Sequence, residues 1–362
     1  MRVGILTIVP SPYQRDLFEA LAKHPDVDLR VFYCEAGSPD SPWAQKAPRS
    51  FETILPGFYL SWGGSRFLVN RTIPPLEALD VLILNGYMTL AAQRILRFHR
   101  GKVPMIFWAE RMVGASTGLK GMLQRFFAKP LKRVSSIVAI GSRAQKDYQQ
   151  RFHGMPVHNI PYYCSLEAFS ECRPAERPRK PLTFFLCGQM IARKGVDVLL
   201  QAFAKLIDGG YDARLLLVGR EAELPEMLAG LSPAARDHVD YAGFQQPEDL
   251  PQFFAQADVF VLPSRYDGWG VVVNQALGAA LPIVCSDTVG AAVDLVDEGQ
   301  NGFTFKNGDV AALHRRLEVF IQDSKFVRHA SECSAAKARQ WAPEVGAAKW
   351  VEILDLVCPA RN

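Results

Sequence analysis

The chain has 362 residues, of which 49% are hydrophobic, and a formal net charge of +4. This length allows two domains with separate cores, and no apolar run reaches the roughly 20 residues that a membrane-spanning helix needs. The seven cysteines are scattered and include no Cys-x-x-Cys pair, which argues against a zinc site or a disulfide framework and fits the reducing cytoplasm.

The charge is unevenly distributed along the chain. Residues 1–175 carry a net charge of +9 and the remaining residues carry −5. Such asymmetry indicates that the first half meets an anionic surface. We expect no nucleic-acid partner, because the sequence contains no known nucleic-acid-binding motif and no interleaving of basic with aromatic residues.

In the first half, short apolar runs alternate with segments that have apolar residues at helical spacing, a pattern typical of parallel sheets covered by helices. Between residues 35 and 80 the pattern weakens into Pro, Gly, Ser and aromatic residues, and there we predict loops and short strands that shape a cleft. The strands predicted for this half are Val3–Val9, Leu29–Tyr33, Val81–Leu84, Met105–Trp108, Ile137–Ile140 and His158–Tyr162.

A second series of strands and helices follows residues 171–181 (ECRPAERPRKP), whose proline and charge are typical of a linker. The sequence therefore predicts two Rossmann-like α/β domains, residues 1–170 and 182–342, whose parallel sheets face each other across a cleft. Ligands of such sheets bind at the carboxyl ends of the strands. The strands predicted for the second half are Leu182–Cys187, Arg214–Val218, Val239–Ala242, Val259–Leu262 and Ile283–Cys285.

One stretch of the second half has the features of a ligand-binding loop. After the strand Val259–Leu262 come the loop Tyr266–Gly270 and an apolar helix predicted over residues 271–280. The two glycines around Trp269 let the backbone approach a ligand closely, and the start of the helix offers free N–H groups to an anion. The alternative is a strand–turn–helix unit of any doubly wound protein, in which Asp267 only caps the helix.

These residues resemble the signature of the retaining glycosyltransferases of family 4, which have the GT-B fold. The resemblance lies in Asp267-Gly268-Trp269-Gly270, in Gln275-Ala276 eight residues further on, and in the strand after Leu281-Pro282. The family has Glu at both the Asp267 and the Gln275 positions, so this chain has a shorter acid at the first and a neutral amide at the second. The resemblance covers nearly all of residues 182–306, thins over 1–165, and implies that a terminal helix at 343–358 crosses back onto the first domain.

A basic pair, Arg193-Lys194, stands just before a predicted helix. Such a pair suits a diphosphate because charge, hydrogen-bond donors and helix dipole converge there, whereas the alternative is an ordinary solvated basic loop. The resemblance implies that this pair neutralises the diphosphate of a nucleotide-sugar donor and that Asp267 holds the donor sugar. The other donor-binding residues that it implies are Gly188, Gln189, Gln245, Gly268, Trp269, Gly270, Val271, Gln275 and Gly290.

In the first half, three predicted strand ends point into the cleft. Tyr13, Asn85 and Tyr87 lie at two of them and are expected to contact the acceptor, and Glu110 follows the third. Many family members have His at the Glu110 position, where it contacts the donor sugar, so we count Glu110 among the catalytic candidates; its alternative is a carboxylate paired with a neighbouring base. Asp26-Val27-Asp28 is an Asp-x-Asp sequence, which binds the metal in another glycosyltransferase fold, but here it reads as a turn remote from the phosphate loop. The resemblance to GT-B enzymes implies that backbone N–H groups and basic side chains neutralise the diphosphate, so we expect no metal and no cofactor.

These inferences predict a glycosyltransferase that moves a sugar from a nucleotide-sugar donor to an acceptor hydroxyl, with retention at the anomeric carbon. The acceptor is expected to be a glycan or a lipid-linked glycan of bacterial surface polysaccharide or glycolipid assembly. Two alternatives stay open. One is a sugar-nucleotide epimerase or hydrolase of the same fold, and the other is a donor-binding pseudoenzyme, suggested by Asp267 and Gln275.

Residues 111–146 carry eight Lys and Arg and no Asp or Glu. Apolar residues at roughly helical spacing, Met122, Leu123, Phe126, Phe127 and Leu131, accompany them. A basic amphipathic helix is typical of a protein that lies on an anionic membrane surface, so we expect a cytoplasmic protein held peripherally at the inner face of the cell membrane. The alternative is an ordinary packed helix with solvated charges.

Overall fold

The computed structural model describes residues 1–37, 43–62, 65–99, 101–112, 118–174 and 178–359. Residues 175–177 of the predicted linker and 113–117 of the basic segment lie outside these ranges. The chain forms two compact units: Met1–Cys164 together with the C-terminal segment from Pro343, and Ser165–Ala342. The boundary between the units therefore precedes the predicted linker.

The first unit is built on a parallel sheet that is covered by helices. Among the described residues its strand order is β3-β2-β1-β6-β7-β8-β9, and the central strands β1, β6, β7 and β8 are buried almost throughout. The strands are β1 (Arg2–Thr7), β2 (Asp28–Tyr33), β3 (Glu52–Ile54), β4 (Gly57–Trp62), β5 (Ser65–Asn70), β6 (Val81–Leu84), β7 (Met105–Ala109), β8 (Ser136–Ala139) and β9 (Val157–Asn159). The helices are α1 (Pro12–Ala22), α2 (Leu90–Phe98), α3 (Gly118–Ala128) and α4 (Ser142–Arg151).

The segment between residues 35 and 80 contains the short strands that its mixed composition predicts. Strand β3 adds to the edge of the main sheet, and β4 and β5 form a separate antiparallel hairpin. Leu68 of β5 packs against the core of the first unit, which anchors one face of the hairpin.

The second unit is also an α/β layer structure. Among the described residues its sheet has the order β12-β11-β10-β13-β14-β15, and every pair within it is parallel. The strands are β10 (Leu182–Cys187), β11 (Ala213–Val218), β12 (Val239–Tyr241), β13 (Val259–Leu262), β14 (Ile283–Ser286) and β15 (Gly302–Phe305). The helices are α5 (Glu167–Glu171), α6 (Val196–Asp208), α7 (Leu224–Ala229), α8 (Pro233–Asp237), α9 (Leu250–Ala255), α10 (Val272–Gly278), α11 (Ala292–Leu295), α12 (Val310–Gln322) and α13 (Ser324–Ala338).

The C-terminal helix α14 (Pro343–Val357) belongs to the first unit, where it packs against α1. Trp350 on this helix meets Trp108 of β7 edge-on, with 5.4 Å between ring centroids. Gly346 lies against the ring of Tyr163, and a Cβ at this position would come within 2.6 Å of it. The chain therefore begins and ends in the same unit.

Candidate functional site

The strand order of the second unit defines where a ligand can bind. From β10 the chain proceeds to β11 and β12 on one side, and then crosses to β13 on the other side of β10. Such a reversal is a topological switch point, and the loops that follow the two adjacent strands line a crevice at their carboxyl ends. Here these loops are residues 188–195, after β10, and 263–271, after β13.

The two loops touch each other through glycine. Gly195 has a φ of +70°, and a Cβ on it would lie 2.0 Å from the carbonyl oxygen of Pro263. The backbones can approach this closely only without a side chain at that position. The approach brings the 3₁₀ turn Ala192–Lys194 beside the loop that carries Asp267.

Lys194 and Asp267, predicted separately from the sequence, form an ion pair. The Lys194 Nζ lies 2.8 Å from Asp267 Oδ1 and 2.9 Å from Oδ2, and the two side chains are only 16% and 11% exposed. Arg193 is half-exposed; its Nη1 donates to the Tyr266 carbonyl at 3.0 Å and lies 3.6 Å from Asp267 Oδ1. Two cations and one carboxylate therefore converge at the switch point.

Arg265, which stands in no predicted motif, connects the two loops by hydrogen bonds. Its N–H donates to the Arg193 carbonyl at 2.8 Å and its guanidinium donates to the Ala192 carbonyl. The same guanidinium binds Asp197 at the start of α6 through two bonds of 2.6 and 2.7 Å. These bonds lower the pKa of Asp197 despite its partial burial. Two features of the sequence could have indicated this contact: an Arg two residues before Asp267, and the acid Asp197 shortly after the basic pair.

Buried groups fix the conformation of the loop around Asp267. Trp269 is fully buried, and its Nε1 donates to Asn274 Oδ1 at 2.8 Å. Gly290 donates to the Asp267 carbonyl at 3.1 Å, and a Cβ on it would lie 2.0 Å from the Gly268 carbonyl oxygen. The Trp269 indole and Gly290 therefore act on this site by fixing the loop.

Helix α10 is shorter than expected. It covers Val272–Gly278 instead of residues 271–280, because Ala280 adopts a left-handed conformation (φ +54°) that ends it. The N–H groups of Val273 and Asn274 already donate to the Gly270 and Val271 carbonyls at 3.0 and 2.9 Å. The expectation that the first helical turn leaves its N–H groups free for an anion is wrong for these two groups.

The remaining predicted donor residues lie at neighbouring strand ends. Gly188 and Gln189 follow β10, and the Lys194 side chain runs beside Gly188, where a Cβ would lie 3.9 Å from its Cδ. Gln245 follows β12. The Nε2 of its side chain donates to the Ala242 carbonyl at 2.6 Å, so the Oε1 of the same amide points away from Ala242. Gln275 is half-buried in α10.

Two cysteines near the site, Cys187 and Cys285, have thiols with raised pKa values. Burial raises the pKa of Cys187 to about 12 although the charge of Lys194 opposes the shift. Burial also raises the pKa of Cys285, with the charge of Asp267 acting in the same direction. Since a thiolate is the reactive form, burial disfavours reaction at either thiol.

In the first unit, Glu110 and Tyr13 come together at the carboxyl end of the sheet. Burial raises the pKa of Tyr13 to about 12, and the negative charge of Glu110 adds to the effect. Tyr162 packs edge-on against Tyr13 with 4.9 Å between ring centroids, and burial followed by the charge of Glu110 raises its pKa as well. A carboxylate and two neutral phenols thus share this end of the sheet.

The other two first-unit candidates differ in their surroundings. Asn85 links three elements: its Oδ1 accepts from Thr7 and Gln14 at 2.9 and 3.0 Å, and its Nδ2 donates to the Trp108 carbonyl at 3.0 Å. Tyr87 packs edge-on against Phe107 at 5.8 Å. The amide of Asn85 therefore connects β1, α1 and β7 at the carboxyl end of the sheet, and Tyr87 packs against β7.

No group of three or more His, Cys, Asp or Glu side chains is placed to hold a metal ion within the part of the chain that the structure describes. Asp28 opens β2, at the amino end of the sheet, and its carboxylate lies 3.8 Å from the Arg30 guanidinium. The Asp26–Asp28 pair therefore lies at the opposite end of the strand from Tyr33 and takes no part in either strand-end site.

The two α/β units with parallel sheets have the GT-B fold. The structure of Anabaena HepE in complex with UDP and glucose has the same fold, with a TM-score of 0.73 and 17% identity over 98% of this chain and 99% of that one. Residues 170–338, slightly less than half of the chain, match the family described as Glycosyl transferases group 1. The second unit therefore resembles the group 1 glycosyl transferases over the matched residues.

Two curated relatives are similar over parts of their length. Alpha-D-kanosaminyltransferase of Streptomyces kanamyceticus is 27% identical over 66% of this chain and 61% of its own length. O-antigen chain mannosyltransferase B of Escherichia coli is 30% identical over 43% of this chain and 41% of its own length. The chain thus spans less than two thirds of the length of either relative.

Proposed function

We propose that this protein is a glycosyltransferase that moves a sugar from a nucleoside-diphosphate-sugar donor to an acceptor hydroxyl. The observation that carries the proposal is the pairing of Lys194 with Asp267, beside Arg193, at the switch point of the second sheet. This is the unit that matches the group 1 glycosyl transferases. The names of the two relatives and the UDP and glucose bound to the HepE structure agree with such a donor.

In this proposal the charges of the site have separate tasks. Arg193 and Lys194 neutralise the leaving diphosphate, which needs no metal when fixed cations and donors already face it. Asp267 accepts hydrogen bonds from hydroxyls of the donor sugar and stabilises the positive charge that develops at the anomeric carbon. Gln275 holds the ribose, and the amide oxygen of Gln245 contacts the nucleobase.

We further propose that transfer retains the anomeric configuration and that the first unit binds the acceptor. Glu110 and Tyr13 would contact the acceptor or the donor sugar, with Tyr87 at the edge of this region. An acceptor in surface polysaccharide or glycolipid assembly is supported by the name of the O-antigen mannosyltransferase relative. The configuration of the product is read from its anomeric proton coupling by NMR.

Attachment to an anionic membrane through residues 111–146 belongs to the same proposal. No described helix is long and apolar enough to cross a bilayer, so attachment would be peripheral. Support comes from α3, where Met122, Leu123 and Phe126 are exposed, although Leu131 of the same segment is fully buried.

The first experiment is a thermal-shift screen with nucleoside diphosphates, followed by incubation with the matching sugar donors. Ligand binding to the native state raises its apparent stability, so one diphosphate should raise the melting temperature and its sugar donor should transfer to an acceptor pool. Conversion of the donor sugar without an acceptor would favour an epimerase or hydrolase. Donor binding without any turnover would favour a pseudoenzyme. Absence of a shift with every diphosphate contradicts the proposed site.

A further inference from the structure

An exposed apolar surface of the first unit extends beyond the basic segment. Large hydrophobic side chains are more than one third exposed on β4 of the hairpin, on α2 and on α3. Isolated exposed hydrophobic residues are ordinary, but a continuous patch marks an interaction surface. The residues of this patch are Phe58, Leu60, Leu90, Phe98, Met122, Leu123 and Phe126.

The hairpin turns one apolar face outward. Tyr59 pairs across the hairpin with Leu68, which packs on the core, so these two residues share the inner face. Since side chains alternate along a strand, Phe58 and Leu60 lie on the outer face, where they are 43% and 53% exposed. A solvent-facing side of an antiparallel sheet ordinarily carries polar residues at these positions.

Two arginines of α2 place the hairpin and α3 on the same side of that helix. Arg94 donates to the Asn70 carbonyl at the end of β5 at 3.3 Å, and Arg97 donates to the Phe126 carbonyl of α3 at 3.2 Å. Residues three apart lie on one face of a helix. The hairpin and α3 therefore flank one face of α2, and the exposed residues of these three elements are hereafter called the hairpin–α3 face.

Arginine also lies over aromatic rings of this surface. The Arg97 guanidinium is 4.4 Å from the Phe126 ring centroid, and the Arg71 guanidinium is 5.9 Å from that of Phe58. Residues 53–146, which contain the whole face, have 14 Lys and Arg but only three Asp and Glu. Apolar side chains bordered by many cations complement a bilayer with anionic headgroups, in which the rings enter the acyl boundary and the arginines meet the phosphates.

We propose that the hairpin–α3 face is the lipid-binding surface, with Phe58 and Leu60 of β4 inserting beside Met122 and Phe126 of α3. This inference rests on the membrane attachment proposed above and adds a second inserting element to it. Because β4 and α3 share the bilayer contact, removing the apolar side chains of either element should weaken attachment strongly. The other element should still contact the bilayer.

The test is flotation of the full chain with vesicles of phosphatidylcholine alone or with added phosphatidylglycerol, at low and high salt. The double variants Phe58→Ser with Leu60→Ser and Met122→Ser with Phe126→Ser should each raise the apparent Kd for anionic vesicles roughly tenfold or more. Leu356→Ser is the matched control, because this residue is 71% exposed on α14 of the same unit. It should bind vesicles as the unchanged chain does.

The outcomes separate this inference from the proposed function. If the hairpin double variant floats like the unchanged chain while the α3 variant does not, the hairpin has no lipid role and attachment through α3 stands. If the unchanged chain does not float with anionic vesicles at low salt, both membrane proposals fall, whereas nucleotide binding tests the transferase separately. If the hairpin variant instead dissociates a dimer that sedimentation detects, the face binds a second copy and the inference is overturned. Hydrogen exchange within residues 1–164 that matches that of the unchanged chain checks that each variant is folded.

Discussion

Lys194 and Asp267 neutralise each other at 2.8 Å, so under the proposed function a diphosphate would share the lysine charge with the carboxylate or displace it. Lys194→Ala should therefore lower turnover by about 10²–10³-fold, the cost of removing one fixed charge-stabilising donor. Its effect on thermal stability should be small in comparison. Steady-state kinetics and thermal unfolding measure the two effects. Lys306→Ala is the control, since Lys306 is 79% exposed and pairs with Asp287 at 3.2 Å.

The carboxylate of the pair is tested by Asp267→Asn, which removes its charge at constant size. It should lower turnover to a similar degree, because an amide stabilises a developing cation less well. Normal rates in both Lys194→Ala and Asp267→Asn contradict the assignment of the active site. A normal rate in only one of them assigns the chemistry to the other residue.

At position 275 this chain has a neutral glutamine, whereas the family that it resembles has an acidic glutamate. A neutral hydrogen bond contributes about 0.5–1.5 kcal/mol, whereas one to a charged group contributes about 1.5–3 kcal/mol. Gln275→Glu should therefore tighten nucleoside-diphosphate-sugar binding or leave it unchanged, and Gln275→Ala should weaken it. Calorimetric titration measures both affinities. Loss of binding in the Glu variant with no effect in the Ala variant places Gln275 away from the ribose.

At the scale of elements, the loops after β10 and β13 depend on Arg265, which binds the backbone of one and Asp197 at the start of α6. Arg265→Ala should raise the donor KM and lower kcat together, since both Lys194 and Asp267 lose their relative position. Arg265→Lys should recover part of both constants because it keeps one charged donor. Arg214→Ala breaks a comparable exposed pair, between Arg214 of β11 and Asp240 of β12, and should leave both constants near normal. Equal kinetics of the Ala and unchanged proteins would remove the positioning role of Arg265.

Sequence patterns located the strands because parallel strands are buried on both faces and read as apolar runs. Val81–Leu84, Leu182–Cys187 and Val259–Leu262 match the structure in both bounds. The end of α10 was missed because its left-handed position is Ala280 instead of the usual glycine. There the Leu281 N–H returns to Ala276 and that of Ala280 to Leu277, at 2.9 Å each, which is a Schellman ending. Strand β15 (Gly302–Phe305) was missed because its sequence, Gly-Phe-Thr-Phe, is interrupted by Gly and Thr and is only partly buried, so it does not read as an apolar run.

The sequence predicted those residues of the candidate site that stand in local motifs. Asp267, Arg193 and Lys194 were selected from neighbouring residues, and the structure brings them together. Arg265 was missed because its importance lies in contacts with Ala192 and Asp197, which are distant in sequence. The burial of Trp269 likewise depends on packing by Trp341, whose ring centroid is 5.8 Å away, and no local pattern contains that contact.

At the scale of the whole molecule, the first unit is completed only by the last helix of the chain. Trp350 is almost fully buried and lies edge-on to Trp108, whose own Nε1 donates to the Ile160 carbonyl at 2.9 Å. Trp350→Ala should destabilise the first unit by about 3–5 kcal/mol through lost burial and a residual cavity. Hydrogen exchange should then increase within residues 1–164 and 343–359, while residues 165–342 keep their protection and their nucleoside-diphosphate thermal shift. Trp43→Ala is the control from the same unit, because this indole is half-buried outside the sheet core. Faster exchange confined to residues 165–342 would instead assign the stabilising role of α14 to the second unit.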